Sequence, residues 1–222
     1  MFIIKIKIMA SSKRRSDGFI GRTGNTVVYL LNGKLVKREI GVTTKPPTIP
    51  QLASRQITGI TAQFLGTIKE FINLGFKQEA ERAKKSAYIS ATSYNRLNAI
   101  TGAYPDYKID YSRVLLSKGN KPKTENVKME PQVEGLRFTW DPSLSDSGKR
   151  WTDQVMMMAY LPELNEAVYL LNGARRTAGQ DILVMPQFRE PVIVETYVSF
   201  IAANHKSVSD SIYTGQVLWK SF

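Results

Sequence analysis

The chain has no cysteine, one histidine and no long uninterrupted apolar run. The absence of thiols excludes a disulfide framework, a thiolate nucleophile and a cysteine-based zinc site, and it leaves the redox compartment open. The lone His205 sits in the polar stretch Ala203-Asn-His-Lys-Ser207 and cannot build a histidine-rich metal site, so it reads as a surface-loop residue. The apolar opening Met1–Met9 is interrupted by Lys5 and Lys7 and is too short to span a bilayer. It also lacks the unbroken core and small-residue cleavage site of a signal peptide. Its period-two pattern reads as a strand, or as an extension upstream of a translation start at Met9.

Acidic residues are scarce where basic ones are dense. Residues 1–50 carry ten Lys and Arg against two Asp and Glu, and residues 51–100 carry seven against three. The balance then narrows to nine against seven over 101–150 and inverts to five against seven over 151–222. A basic beginning joined to a near-neutral remainder points to one part that meets an acidic partner and another that serves as scaffold. At 222 residues and 42% hydrophobic composition, the chain buries a core without external staples.

Three segments differ in periodicity. Residues 1–47 form a basic, glycine-rich arm followed by a hairpin: Thr26-Val-Val-Tyr-Leu-Leu31, the Asn32-Gly33 turn pair, and Lys34-Leu-Val-Lys-Arg-Glu-Ile40. Asn-Gly between two alternating runs is a strong hairpin signal because both residues tolerate positive φ. Pro46, Pro47 and Pro50 end the ladder and lead into residues 48–103, a helical segment. There Leu52, Ile57, Ile60, Phe64, Leu65, Ile68, Phe71, Ile72 and Phe76 recur at helical spacing from Thr48 to a stop at Gly75. A second helix is expected from Glu79 to Ile100. Residues 104–222 read as a β-sandwich, with short runs at 111–117, 126–130, 135–140, 154–161, 167–171, 181–185, 192–202 and 211–218. The sequence Val-Tyr-Leu-Leu-Asn-Gly occurs at 28–33 and at 168–173. Nothing flanking it repeats, so it reads as two similar turns.

Chemistry is sparse. Asp106 with Asp110, and Asp141 with Asp146, are spaced for Asx turns and caps rather than for catalysis. Gly18, Gly21 and Gly24 lead into a hairpin instead of a helix and lack a following Lys-Ser/Thr, so they are not a phosphate loop. Met156-Met-Met158 reads as core filling. The serious candidate is the basic set Lys13, Arg14, Arg15, Arg22, Lys34, Lys37 and Arg38, with Tyr29 among them, as a contact surface for nucleic acid or an acidic partner. No helix-turn-helix, zinc-finger or stacking signature accompanies it, so sequence-specific readout is not expected.

One family resemblance runs through nearly the whole chain. It is carried by Gly21-x-x-Gly24-Asn-x-Val27-Val28, Gln51-x-x-x-Arg55 and Gly75-Phe-Lys77, by the long block from Tyr94 to Gly119, by Phe138-Thr-Trp-Asp141, and by Ser207-Val-Ser-Asp-Ser-x-Tyr213-x-Gly215. On these residues the chain resembles the bacterial family known as domain of unknown function 6266, from about Gly18 to Val217. Members place Gly after the paired valines, where this chain has Tyr29, and start near Met9. The resemblance implies an N-terminal hairpin, helices and a C-terminal immunoglobulin- or fibronectin-like domain, with no catalytic residue to carry over.

The expectation is therefore an α+β protein that is not an enzyme and needs no metal or cofactor. It would be a structural or assembly subunit of a larger particle or surface structure, virion-associated or bacterial cell-associated, and a homo-oligomer or one subunit among several. Two alternatives stand beside it: a sequence-independent nucleic-acid-binding protein, and a surface adhesion or carbohydrate-binding module.

Overall fold

The computed structural model describes residues 13–15, 18–42, 44–145 and 147–220, with Lys13–Arg15, Gly18 and Phe19 as backbone alone. The opening read as a strand at Met1–Met9, and Asp146, lie outside the described residues. The chain divides into two compact units, residues 1–48 and 49–222.

The first unit is a four-stranded antiparallel sheet of β1 (Lys13–Arg15), β2 (Gly18–Thr23), β3 (Thr26–Leu31) and β4 (Lys34–Glu39), paired in chain order. Asn32 and Gly33 have φ of 51° and 78°, so the β3–β4 turn is of the Asn-Gly kind that matches strand twist. A second tight turn at Gly24-Asn25 joins β2 to β3, with Gly24 at φ 58°. What reads in the sequence as a basic, glycine-rich arm is thus partly a ladder strand.

The second unit begins with helices. The expected single helix from Thr48 to Gly75 is instead α1 (Ile49–Thr67) and α2 (Lys69–Gly75). The break falls at Ile68, with φ −115° and ψ 28°, where the Thr67 hydroxyl donates back to the carbonyl oxygens of Phe64 (2.7 Å) and Gln63 (3.2 Å) next to exposed Gly66. The expected helix from Glu79 to Ile100 is likewise α3 (Lys77–Ala83) and α4 (Ala87–Asn98). Lys84 closes α3 in the left-handed conformation at φ 52°, and the Ser86 hydroxyl caps α4 by accepting from the Ile89 amide at 3.2 Å.

The strands that follow are β5 (Ile100–Thr101), β6 (Lys108–Ile109), β7 (Lys128–Gln132), β8 (Gly135–Thr139), β9 (Gln154–Leu161), β10 (Glu166–Leu170), β11 (Gln180–Val184), β12 (Val192–Ile201) and β13 (Ile212–Trp219). Residues 111–117 do not form the expected strand. Asp110 accepts from the Ser112 amide (3.1 Å) and caps a 3-10 turn at Tyr111–Arg113, after which Val114 and Leu116 are buried beside the helices without a ladder. β5 and β6 form a small bracket, β11-β8-β7 a three-stranded sheet, and β10-β9-β12-β13 a four-stranded sheet, all antiparallel.

Two cores lie on opposite faces of the four-stranded sheet. Val155, Met157, Ala159, Val194, Val198 and Phe200 point to one side and meet Leu136, Phe138 and Leu183 of the three-stranded sheet. Met156, Met158, Tyr160, Tyr197 and Ile201 point to the other and meet Phe64, Ile68, Phe71, Ile72 and Phe76 of the helical region. Alternation sends successive residues to opposite faces, so a strand covered on both sides reads as a continuous apolar run. Val-Met-Met-Met-Ala-Tyr-Leu at 155–161 is such a run, which accounts for the methionine triplet.

Glycines mark two close approaches. A Cβ at Gly75 would collide with the Leu116 carbonyl, and one at Gly119 with the Val208 carbonyl. The two Val-Tyr-Leu-Leu-Asn-Gly copies part company at their ends. Asn172 and Gly173 lack the positive φ of Asn32 and Gly33, and Gly173 is there because a Cβ would strike Asp181 and Val155.

A buried charge cluster ties the long connections to the sheets. The Asp153 carboxylate, fully buried, lies 2.8 Å from Lys121 Nζ and 3.6 Å from Arg176 Nε. Lys121 also donates to the Gly148 carbonyl (3.0 Å), and the Arg176 guanidinium stacks 3.9 Å from the Phe200 ring centroid. Trp140 Nε1 donates to the Arg176 carbonyl at 2.6 Å. Removing one member of a buried pair strands the other charge at a cost of about 3–5 kcal/mol. We therefore expect Asp153→Asn to lower the stability to guanidinium unfolding by about that amount. A loss below about 1 kcal/mol, the range of a surface pair, would show that the cluster is not structural.

Candidate functional site

The basic residues singled out by the sequence lie in the N-terminal sheet, where register decides their placement. Val27 lies opposite Arg22 on one side and Arg38 on the other, and Val28 lies opposite Gly21 and Lys37. Arg22 and Arg38 thus share a face with Tyr29 and Val36, about 10 Å apart across two strand spacings. The Arg38 guanidinium lies 5.8 Å from the Tyr29 ring centroid. Lys37 belongs to the opposite face with Val28, Leu30 and Leu35, beside a shallow hollow of about 410 Å³. Lys34 pairs with Leu31 next to the turn, and the backbone of Lys13, Arg14 and Arg15 pairs with Ile20, Phe19 and Gly18 on the far strand. Strand alternation therefore divides the basic set between two faces. No described side chain from Ile20 to Thr48 is buried, and Leu30, Leu31 and Leu35 are 43%, 53% and 49% exposed.

The other candidates resolve into local structure. Asp110 Oδ1 also accepts from the Ser112 hydroxyl, and Asp141 accepts from the Ser143 amide at 2.9 Å, both Asx-type contacts. Asp106 donates its amide to the Ala103 carbonyl at 2.6 Å in the loop between β5 and β6. His205 holds φ 55° in the β12–β13 turn. Among the described residues no three His, Asp or Glu side chains converge to hold a metal ion, and no helix is long and apolar enough to cross a membrane.

The structure assembles a polar cluster that the sequence does not announce. Glu195 is buried in β12, accepting from Tyr213 Oη at 2.6 Å and from Gln216 Nε2 at 2.7 Å. Tyr197 donates to the Tyr111 carbonyl at 2.7 Å. Nearby, Phe64, Tyr111 and Tyr160 stack edge-on or tilted, with centroids 4.7–6.0 Å apart. Together with Tyr107, Ile109 and Asn165 they line a pocket of about 360 Å³, in which Tyr160 donates to Asn165 Oδ1 at 3.1 Å. Burial first, then the negative charge of Glu195, pushes the Tyr197 phenol well above its ordinary range. Burial raises Tyr111 as well, followed by its Tyr160 and Glu195 neighbours, and burial with the hydrogen bond to Glu195 raises Tyr213. These phenols stay protonated at neutral pH and act as donors rather than bases. The available sequence signal was a charged residue inside a long apolar strand at 192–201, with tyrosine two positions on.

Because the folded state holds these protons more tightly than the unfolded chain, their contribution is complete below about pH 10, the ordinary phenol value, and is lost as pH rises above it. We expect spectrophotometric titration of the native protein to leave Tyr111, Tyr197 and Tyr213 un-ionised until alkaline unfolding releases them together. Ionisation of all ten tyrosines near pH 10 in still-folded protein would contradict the placement.

These features define a mixed α and β protein: an open basic sheet ahead of a unit in which helices and a second sheet cover both faces of a central antiparallel sheet. The chain belongs to the family described as "Family of unknown function (DUF6266)", whose model matches residues 18–215. No curated protein matches it.

Proposed function

We propose that this protein is a non-enzymatic structural subunit of a larger assembly, a virion-like particle or surface structure, in which the N-terminal sheet of one copy docks on a neighbouring copy. The observation that carries this reading is a four-stranded sheet in which no described side chain is buried and both faces keep apolar residues exposed between cations. A sheet gains its stability from a buried face, so one with neither face buried is completed by a partner. Residues 1–50 carry ten basic groups against two acidic ones, so the patch that receives the sheet carries negative charge. A basic patch meeting a different, more acidic patch of the next copy makes a head-to-tail contact, which closes into rings or extends into filaments.

Residues 128–219 serve as the packing module and read as an immunoglobulin- or fibronectin-like sandwich. Their order supports this: of the seven strands, the first, second and fifth form one sheet, and the third, fourth, sixth and seventh form the other. A second reading, sequence-independent binding of nucleic acid by the arm, is favoured by Arg22 and Arg38 on one face with Tyr29 between their strands.

Native mass measurement separates these readings. The full chain is expected to form species that are multiples of its 25.0 kDa mass, and the paired substitutions Leu30→Glu and Leu35→Glu to return it to single copies. A single 25.0 kDa species at high concentration would remove the assembly reading. If that species also bound oligonucleotides with affinity falling steeply in salt, and lost them with Arg22→Ala and Arg38→Ala, the second reading would replace it.

A further inference from the structure

At the end of the four-stranded sheet where β9 begins, far along the chain from the basic arm, neighbouring connections carry an exposed indole and three exposed cations. Gln154, the first residue of β9, pairs with Ile201, the last of β12, and bridges to Arg175, which follows β10. The loop that carries Arg150 and Trp151, the segment at Arg175 and the turn that carries Lys206 therefore leave three neighbouring strands at one end. Trp151 is 54% exposed, whereas Trp140 and Trp219 are 4% and 1% exposed. The Arg175 guanidinium lies 4.8 Å from the Trp151 ring centroid, a cation–π contact that leaves much of the indole to solvent. Arg150, Arg175 and Lys206 are exposed and form no ion pair among the described residues. Nearby carboxylates are engaged: Asp153 with Lys121 and Arg176, Asp181 with the amides of Ala174 (2.7 Å) and Ile182 (2.9 Å), and Asp210 with the Gly119 amide and, at 3.6 Å, Lys123.

An exposed aromatic face beside unpaired cations is what a single strand of nucleic acid uses, stacking a base on the ring while the phosphates meet the charges. A neutral glycan would use the ring and gain nothing from the three cations. An acidic peptide would use the cations and leave the ring idle. A duplex keeps its base faces stacked internally. We infer that this end of the sheet binds single-stranded nucleic acid without sequence preference, with a base on Trp151 and phosphates on Arg150, Arg175 and Lys206. This is a site distinct from the arm, and it does not require the assembly reading.

Trp151 is its own reporter, because the other two tryptophans are buried. The full chain is titrated at low salt with an oligothymidylate longer than the roughly 16 nucleotides that a single-strand module covers. The expected result is saturable quenching of tryptophan fluorescence that a duplex of equal length does not produce. Binding is followed in parallel by polarisation of a labelled strand. There Trp151→Ala should weaken binding about tenfold, and Trp151→Tyr should restore most of it. The triple substitution of Arg150, Arg175 and Lys206 by Ala should reduce the salt slope by about two, the value for three phosphates on a single strand. Arg22→Ala with Arg38→Ala, in the arm, should leave the quenching unchanged. Absence of quenching at low salt, unaltered affinity in Trp151→Ala, or equal quenching by polyglutamate, a neutral oligosaccharide or duplex would overturn the inference.

Discussion

Two strands with apolar side chains on both faces govern this molecule. β9 and β12 pair in the middle of a four-stranded sheet, and neither of their faces tolerates water. The second sheet closes one face and the helices close the other, so each element of residues 49–222 is placed by what those strands must have covered. The helical segment is accordingly part of the same compact unit as the strands. Its four helices are separated by breaks at Ile68, Phe76 and Lys84–Ser86. Gly75 and Gly119 let the segment around Leu116 close in, and the buried Asp153 cluster fixes the connections that no ladder holds.

The N-terminal unit obeys the opposite rule. Its strands are short and cationic, and no described side chain in it is buried. Turn chemistry at Gly24-Asn25 and Asn32-Gly33 sets its register, while packing contributes little. A chain that builds one unit around a doubly covered sheet and another in which no described side chain is buried distributes its apolar residues unevenly. That unevenness is the physical basis of the assembly reading.

Much of this was legible in the residues. Alternation and the Asn32-Gly33 pair located the hairpin, and the β-rich runs from Gly135 onward correspond to strands within a residue or two, because turn residues punctuate them. Apolar periodicity found the helical region but not its breaks, which fall where the backbone leaves helical geometry at Ile68 and where Lys84 takes the left-handed conformation. Val114 and Leu116 looked like strand residues because burial beside helices and burial in a sheet demand the same side chains. The site was harder to read. Arg175 and Arg176 are adjacent and look alike, yet one stacks on an exposed indole and the other is sealed against Phe200 with Asp153. Partners 23 or 32 positions away in the chain, such as Asp153 for Arg176 and for Lys121, leave no local pattern. Glu195 stood out only as a charge inside an apolar run, and its partners Tyr213 and Gln216 are brought to it by the pairing of β12 with β13.

In the proposed assembly, residues 26–39 acquire a buried face from a neighbouring copy. Amide hydrogen exchange of the full chain, followed from dilute to concentrated protein, tests it most directly. Amides of β9 and β12 are expected to be protected at every concentration, whereas those of β3 and β4 exchange quickly when dilute and slow as copies associate. Protection of β3 and β4 equal to that of β9 in the dilute single copy would contradict it.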